Sequence, residues 1–531
     1  MSILHFFLLA AVVCVALGGS PVLQVDTTNG PLLGHMDGNV RVWKGVPYAK
    51  PPQGALRWEY PQAPEPKSEV YVANVDVNGC PQDCKLPPGN CPAYGTSEDC
   101  LYLTVTAPES PSTDAAGYPV MFWIHGGAYE QGLGNSPLYN GTTFAEKNVI
   151  TVVINYRIGA LGFMASADMT GNYGIMDQRL AMQWTKDNIK GFGGDPSRVT
   201  IAGQSAGAMS VGTHLVSPGS KGLFDKAIME SNCLGMPFHT KKSAATNADA
   251  VFEYLKCDKG DLACMKGKTS DEIVDAQANA VKMDRKTLFI NFLPFAPVVD
   301  GTVLPKQPLD ALGAGEISNV PIMAGSLYDE GLLFVDELFP DRMSKTKYHA
   351  TVDAIFGLHK AKKIKKMYPM VSDDGRDAFN GLATDLIFYC PLRNVTKGMT
   401  NALGAAAIPT YNYRFSHVLS FDCWGPDYSF CVGHVCHGSE LPFVFNVFSD
   451  GSTFNYNPTA DETQLAQDMS SSWSNFVTTA NPNTGFKVPE IYPLYDPATR
   501  PLVVLNQPDY SDQLDPREEQ CAMWDSMGYF Y

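Results

Sequence analysis

The 531-residue sequence predicts a large α/β fold, a mostly parallel central sheet with helices on both faces. Three observations carry that prediction. The runs Tyr118–His125 and Val149–Tyr156 are apolar without alternation, as strands covered on both faces must be. Between the second run and the next strand, Asp177–Ile189 spaces its apolar residues at helical intervals. The β-branched stretch Val199–Ala202 then runs straight into Gly203-Gln204-Ser205-Ala206-Gly207 and a segment able to start a helix. Leu223–Met229 and Val320–Ala324 read as further strands, so buried strand, helix and buried strand alternate along the chain.

The flanking text fits an exported protein. Residues 3 to 17 form an apolar block without Lys or Arg, followed by Gly18-Gly-Ser20; 1–20 is therefore expected to be a secretory signal. No other segment is apolar enough to cross a bilayer, and the last residues carry no anchor or retention signal. The remainder, 21–531, reads as one domain, since large α/β enzymes commonly exceed ~150 residues per unit. From Pro21 to about Pro111 the chain is strand and turn, with Val22–Val25 and Val40–Lys44 as strands. Of 13 cysteines, Cys14 leaves with the signal, and the remaining even dozen points to disulfides in an oxidising compartment. Their spacings lack the paired pattern that zinc prefers, so no metal or cofactor is expected. Asn140-Gly-Thr and Asn394-Val-Thr are candidate glycosylation sites. A net charge of −16 argues against nucleic acid and anionic membrane surfaces as partners. Oligomeric state is not legible.

The chemistry starts at Ser205. Gly-x-Ser-x-Gly between strand and helix is the nucleophile-elbow pattern: the serine sits on so sharp a turn that its neighbours two residues away must lack side chains. A serine hydroxyl is a poor nucleophile and needs a base that is itself oriented by a carboxylate. Asp329-Glu330-Gly331 follows the 321–325 strand closely, where such an acid belongs, and either carboxylate fits. Downstream, His434 and His437 are rival bases. His125-Gly126-Gly127-Ala128 closes a buried strand; glycines there let backbone N–H groups approach a substrate oxygen, forming an oxyanion hole with the Ala206 N–H.

These residues resemble the type-B carboxylesterase family, which includes the cholinesterases. The resemblance covers nearly the whole mature chain. It rests on Lys44-Gly-Val-Pro-Tyr-Ala-Lys-Pro-Pro52, Ser97-Glu-Asp-Cys-Leu-Tyr-Leu103, His125–Ala128, Asn155–Phe163, Gly171–Gln178, Asn188–Pro196, the elbow, Asp329–Gly331 and His437-Gly-Ser-Glu-Leu441. It implies an α/β-hydrolase fold with Ser205 as nucleophile, Glu330 as acid, His437 as base, and Gly126, Gly127 and Ala206 as oxyanion hole. It also implies disulfides Cys80–Cys100, Cys257–Cys264 and Cys390–Cys521; Cys84–Cys91 extends the pattern, both lying inside the first loop. Among Cys233, Cys423, Cys431 and Cys436, one bridge from Cys423 is expected, with Cys233 a buried free thiol.

Two departures bear on substrate. The family usually has Glu where Gln204 stands, and the segment from Cys80 to Cys100 lacks the tryptophan with which cholinesterases bind quaternary ammonium. Both remove cation stabilisation, so an uncharged ester is the expected small-molecule substrate. In the region resembling the family's acyl pocket, Phe289, Phe292 and Phe295 are expected either to form an apolar wall or to be core. The resulting expectation is a secreted serine carboxylesterase; the alternatives are an adhesion or storage protein of the same fold, or an interfacial lipase.

Overall fold

The computed structural model describes residues 22–529 except 88, 283–287, 404–407 and 490–491. The expected signal segment, with Cys14, lies outside the described residues.

Among the described residues an eleven-stranded sheet forms the centre. Its strands in chain order are β1 (His35–Asp37), β2 (Val40–Pro47), β3 (Tyr102–Pro108), β4 (Tyr118–Ile124), β5 (Ile150–Ile154), β6 (Gly194–Gln204), β7 (Lys226–Glu230), β8 (Ile322–Leu327), β9 (Thr410–Phe415), β10 (Pro501–Leu505) and β11 (Ser511–Leu514). Across the sheet they run β11-β10-β9-β8-β7-β6-β4-β5-β3-β2-β1. From β10 to β5 every neighbouring pair is parallel, and both flanks are antiparallel.

The unbroken apolar runs have a simple cause. In β4, Val120, Phe122 and Ile124 join one core, while Met121 and Trp123 join a second. A strand alternates its side chains between faces, so a strand with both faces covered has no polar position to show. The first core takes Ile175, Met182 and Trp184 of helix α1 (Tyr173–Asn188) and Met209, Val211 and Leu215 of α2 (Ala206–Val216). The second takes Leu465, Met469, Trp473 and Phe476 of a long later helix, Ala460–Thr479. That helix starts at Thr459, whose side chain accepts from the Glu462 N–H while the Glu462 carboxylate accepts from the Thr459 N–H.

Several predicted boundaries shift: the strand expected at Val22–Val25 is Gln24–Thr27, the helix expected at Asp177–Ile189 is Tyr173–Asn188, and the strand expected at Val199–Ala202 spans Gly194–Gln204. The predicted strand Leu223–Met229 begins only at Lys226, where the ladders to β6 and β8 start. The predicted strand Val320–Ala324 runs on to Leu327, through Gly325. A side chain at 325 would collide with the Tyr413 ring, its Cβ 2.4 Å from the ring carbons, so this glycine serves packing rather than a turn.

Among the described residues there are five disulfides: Cys80–Cys100, Cys84–Cys91, Cys257–Cys264, Cys390–Cys521 and Cys431–Cys436. The last corrects the expected bridge from Cys423. Cys431 and Cys436 close a five-residue turn on each other at a Cα separation of 5.6 Å. Cys423 stays a free thiol hydrogen-bonded to Ser439, and Cys233 is free and buried. No helix of the described residues is long and apolar enough to cross a membrane.

Candidate active site

Three strand ends build the site. β6 delivers Gln204 and Ser205, with Ser205 at φ 57°, ψ −123°, a conformation that side chains rarely adopt. The Ser205 N–H is held by the Glu230 carbonyl at 2.9 Å. The turn closes only because its flanks are bare. A Cβ at Gly203 would sit 2.6 Å from the Gly207 carbonyl carbon, and one at Gly207 2.0 Å from the Ile124 oxygen. Ala206 is the first residue of α2, so its N–H has no intrahelical acceptor.

β4 delivers the glycine turn. A Cβ at Gly126 would fall 3.1 Å from Ser205 Cβ and 2.7 Å from the Gln204 carbonyl oxygen, so Gly126 backbone lies directly against the elbow. Gly127 adopts φ +109°, where a side chain would meet the Gln131 oxygen. His125 braces the turn from behind. Its Nδ1–H donates to the Gly126 carbonyl at 2.8 Å, its ring stacks on Tyr156, and burial pushes its pKa down to about 4. It is therefore a neutral structural histidine.

β8 leads into Glu330, the expected acid. Glu330 opens helix α3 (Glu330–Leu338) and is fully buried. It accepts the Leu327 N–H at 2.8 Å through Oε1 and the His437 Nδ1–H at 2.5 Å through Oε2. Those bonds set the tautomer, leaving Nε2 of the neutral imidazole as an acceptor. Nε2 faces the elbow: the Gln204 side-chain nitrogen donates to it at 3.3 Å. The rivals of the sequence reading form a pair of their own. Asp329 Oδ2 lies 3.6 Å from His434 Nδ1, toward solvent, with His434 half exposed.

The surroundings hold residues that sequence reasoning missed. The rings of Phe334 and Phe388 each lie 5.2 Å from the His437 ring and stack on each other at 5.9 Å. Phe334 had a signal, being four residues after Glu330 on the same helix face. Phe388 had none; it sits on a π-helical turn, Thr384–Tyr389. Of the expected acyl-side rings, Phe292 joins this group, 5.4 Å from Phe334, while Phe289 packs on Phe356 and Phe295 is core. The Cys233 thiol, beside Ser205, donates to the Ser231 carbonyl at 3.8 Å, and burial pushes it up, which keeps it protonated. Glu130, in the loop after the glycine turn, is pushed up to about 7 by burial.

Two more carboxyls lie behind the elbow. Glu230, whose Oε1 accepts the Trp473 indole N–H at 2.6 Å, is pushed up to about 8 by burial. Glu440 is pushed well above the carboxylate range by burial and then by the charges of Glu230 and Glu330. Burial thus favours the protonated form of Glu440.

Asn140 is exposed, its Oδ1 accepting from Thr142 N–H and Oγ. Asn394 is half-buried in helix Cys390–Leu403, and Thr396 of its sequon is buried with its hydroxyl donating to Leu392 O.

A serine on a strand–turn–helix elbow, with an acid and a histidine arriving from later loops of one mostly parallel sheet, defines an α/β-hydrolase. Residues 21–524 match the carboxylesterase family, and the chain belongs to it. The cAMP-regulated D2 protein of Dictyostelium discoideum is 40% identical over 88% of this chain and 85% of its own length. The para-nitrobenzyl esterase of Bacillus subtilis (strain 168) is 33% identical over 93% of this chain and 97% of its own. A solved PNB esterase structure superimposes with a TM-score of 0.78 at 33% identity, covering 94% of this chain and 99% of that one. The protein is a carboxylic ester hydrolase.

Proposed function

We propose that the chain is a secreted serine carboxylesterase that cleaves uncharged carboxylic esters through an acyl-enzyme. Ser205 Oγ attacks the ester carbonyl while His437 Nε2 takes its proton. The oxyanion is held by the N–H groups of Gly126, Gly127 and Ala206. Collapse of the tetrahedral intermediate breaks the C–O bond, and His437 passes its proton to the departing alkoxide. Water then repeats the sequence on the acyl-serine, releasing the acid and restoring the serine. Glu330 orients the imidazole and stabilises its cation.

The observation that carries this reading is the 2.5 Å hydrogen bond between His437 Nδ1 and fully buried Glu330, on an imidazole whose other nitrogen faces residue 204 of the elbow. Uncharged substrates are supported by what lines that face: a neutral amide at 204, neutral Phe rings and a thiol held protonated. Five disulfides and the absence, among the described residues, of a membrane-crossing helix support export after loss of a leader up to residue 20, with 21–531 acting as one catalytic unit. The exposed position of Asn140 favours it over Asn394 as the glycan acceptor.

The test is turnover of an ester panel varying acyl length and alcohol charge, with fluorophosphonate labelling. Wild type is expected to label once, at Ser205, and to prefer uncharged alcohols. Ser205→Ala is expected to keep the fold and lose labelling and turnover by ~10⁴-fold or more. Unchanged turnover in Ser205→Ala, or labelling elsewhere, overturns the assignment.

A further inference from the structure

Asp329 stands just before α3, yet its side chain makes no capping bond to the helix and is spent elsewhere. Its backbone N–H donates to the Val435 carbonyl at 3.2 Å, and its Oδ2 accepts the Val435 N–H, also at 3.2 Å. Its Oδ1 accepts from Asn380 Nδ2 at 3.1 Å, and a parallel bridge pairs residue 329 with Cys436. His434 completes the set on Oδ2. The acid turn and the histidine loop are thus zipped together at the residues flanking the reacting pair, Asp329 beside Glu330 and 434–436 just before His437. The Cys431–Cys436 disulfide closes that loop, and Leu332 and Leu333 of α3 pack against it. Few internal freedoms are then left between His434 and His437.

We propose that Asp329 and His434 are a positioning pair that holds the His437 imidazole in register with Glu330 and Ser205, an inference that rests on the esterase reading above. Neither residue exchanges a proton with substrate. Their ion pair keeps the loop seated on the acid turn, so that the short Glu330–His437 bond forms without strain. Misplacement of a catalytic group by about 1 Å can cost as much as 10²-fold in rate, so a loop pinned at its far end is worth having.

The electrostatics give the pair a pH dependence. His434 is raised above its ordinary value of 6.5, first by the Asp329 carboxylate 3.6 Å away, with the charges of Asp377 and Asp336 adding. Asp336, on α3, is itself bonded to Arg376. Burial alone would raise Asp329; His434 and the bonds from Val435 and Asn380 outweigh it and hold Asp329 below its ordinary value. For a raised histidine the sign is fixed. The ion pair is complete below 6.5 and is lost as pH rises through the folded-state value. His434 is half exposed, so solvent screening keeps the effect modest.

The experiment compares wild type, Asp329→Asn, His434→Gln and His434→Lys on one uncharged aryl ester across pH, with thermal midpoints and fluorophosphonate labelling. Asp329→Asn and His434→Gln are expected to lower kcat about tenfold with KM within about twofold. His434→Lys, which keeps a cation, is expected to restore kcat to within about twofold of wild type at pH 7. Wild type is expected to lose kcat at alkaline pH as His434 deprotonates, and His434→Lys to keep it, because lysine stays charged there. Wild-type kcat in both neutralising variants overturns the inference, as does a loss of kcat that lysine fails to rescue and that leaves the alkaline limb unchanged. Should Asp329→Asn fail to fold, the half-exposed His434→Lys decides the matter alone through that limb. Wild type that turns over and labels while the variants behave as wild type sinks only the positioning pair; wild type that does neither sinks the esterase reading and the pair with it.

Discussion

Two acid–histidine pairs lie side by side, their acids one residue apart and their histidines three, and their contrast separates chemistry from support. Inside, Glu330 is fully buried and joined to His437 at 2.5 Å; outside, Asp329 meets His434 at 3.6 Å with the imidazole half in water. The residue types are nearly the same. Burial makes the difference. In a dry site a charge-assisted hydrogen bond is strong, and no water competes for the imidazole. In the half-solvated pair the same groups yield a modest, screened attraction that suits a seat for a loop.

That contrast can be broken or sharpened by experiment. Glu330→Gln is expected to cost about 10³–10⁴-fold in kcat with little change in KM, since the amide cannot stabilise the imidazolium. An equal loss in Asp329→Asn, measured in the same assay, would erase the distinction between inner and outer acids. Gly126→Ala is expected to cost about 10²–10³-fold in kcat, because the new Cβ presses on the Gln204 carbonyl and Ser205 and displaces the N–H donors. A variant within threefold of wild type would mean that those donors are not used.

Gln204→Glu puts a carboxylate where an amide now lies 3.3 Å from His437 Nε2. A negative charge there favours the imidazolium, and the nucleophile needs the neutral imidazole. The acid limb of kcat/KM is therefore expected to move to higher pH, by about one unit, with cationic alcohols gaining over neutral ones. A pH profile identical to wild type would show that residue 204 does not address the base. The last effect concerns stability, and among the rate effects it is the smallest. By loop length, the 131-residue separation of Cys390–Cys521 contributes about 5 kcal/mol at 25 °C and the five-residue loop of Cys431–Cys436 about 2 kcal/mol. Denaturant midpoints of Cys390→Ser/Cys521→Ser and Cys431→Ser/Cys436→Ser variants are expected in that order, with only the second pair touching kcat.

Much of the molecule was readable because its signals are local. A strand covered on both faces must be apolar throughout, so β4 and β5 declared themselves. An elbow needs small residues at fixed offsets, so Gly203 and Gly207 bracket Ser205. The misses share one cause. Phe388 reaches the His437 ring from a π-helical turn far along the chain, and Cys233 reaches Ser205 from the segment after β7; neither contact leaves a mark on neighbouring residues. Gly325 looked like a strand's end, yet the strand continues through it because the Tyr413 ring of the neighbouring strand occupies the place of its side chain. Cys423 was expected to bridge because nearby cysteines invite pairing, but the turn between Cys431 and Cys436 brings those two sulfurs together first.

By itself the amino-acid sequence determined the buried parallel sheet, the serine on its elbow and the glycine turn, because each of these depends on residues close together in the chain. Which carboxylate meets which imidazole was decided only when β8 and the 431–437 loop came together in space. The pairing of Glu330 with His437, and of Asp329 with His434, depends on burial and distance between segments about a hundred residues apart, and neither quantity is written in local sequence.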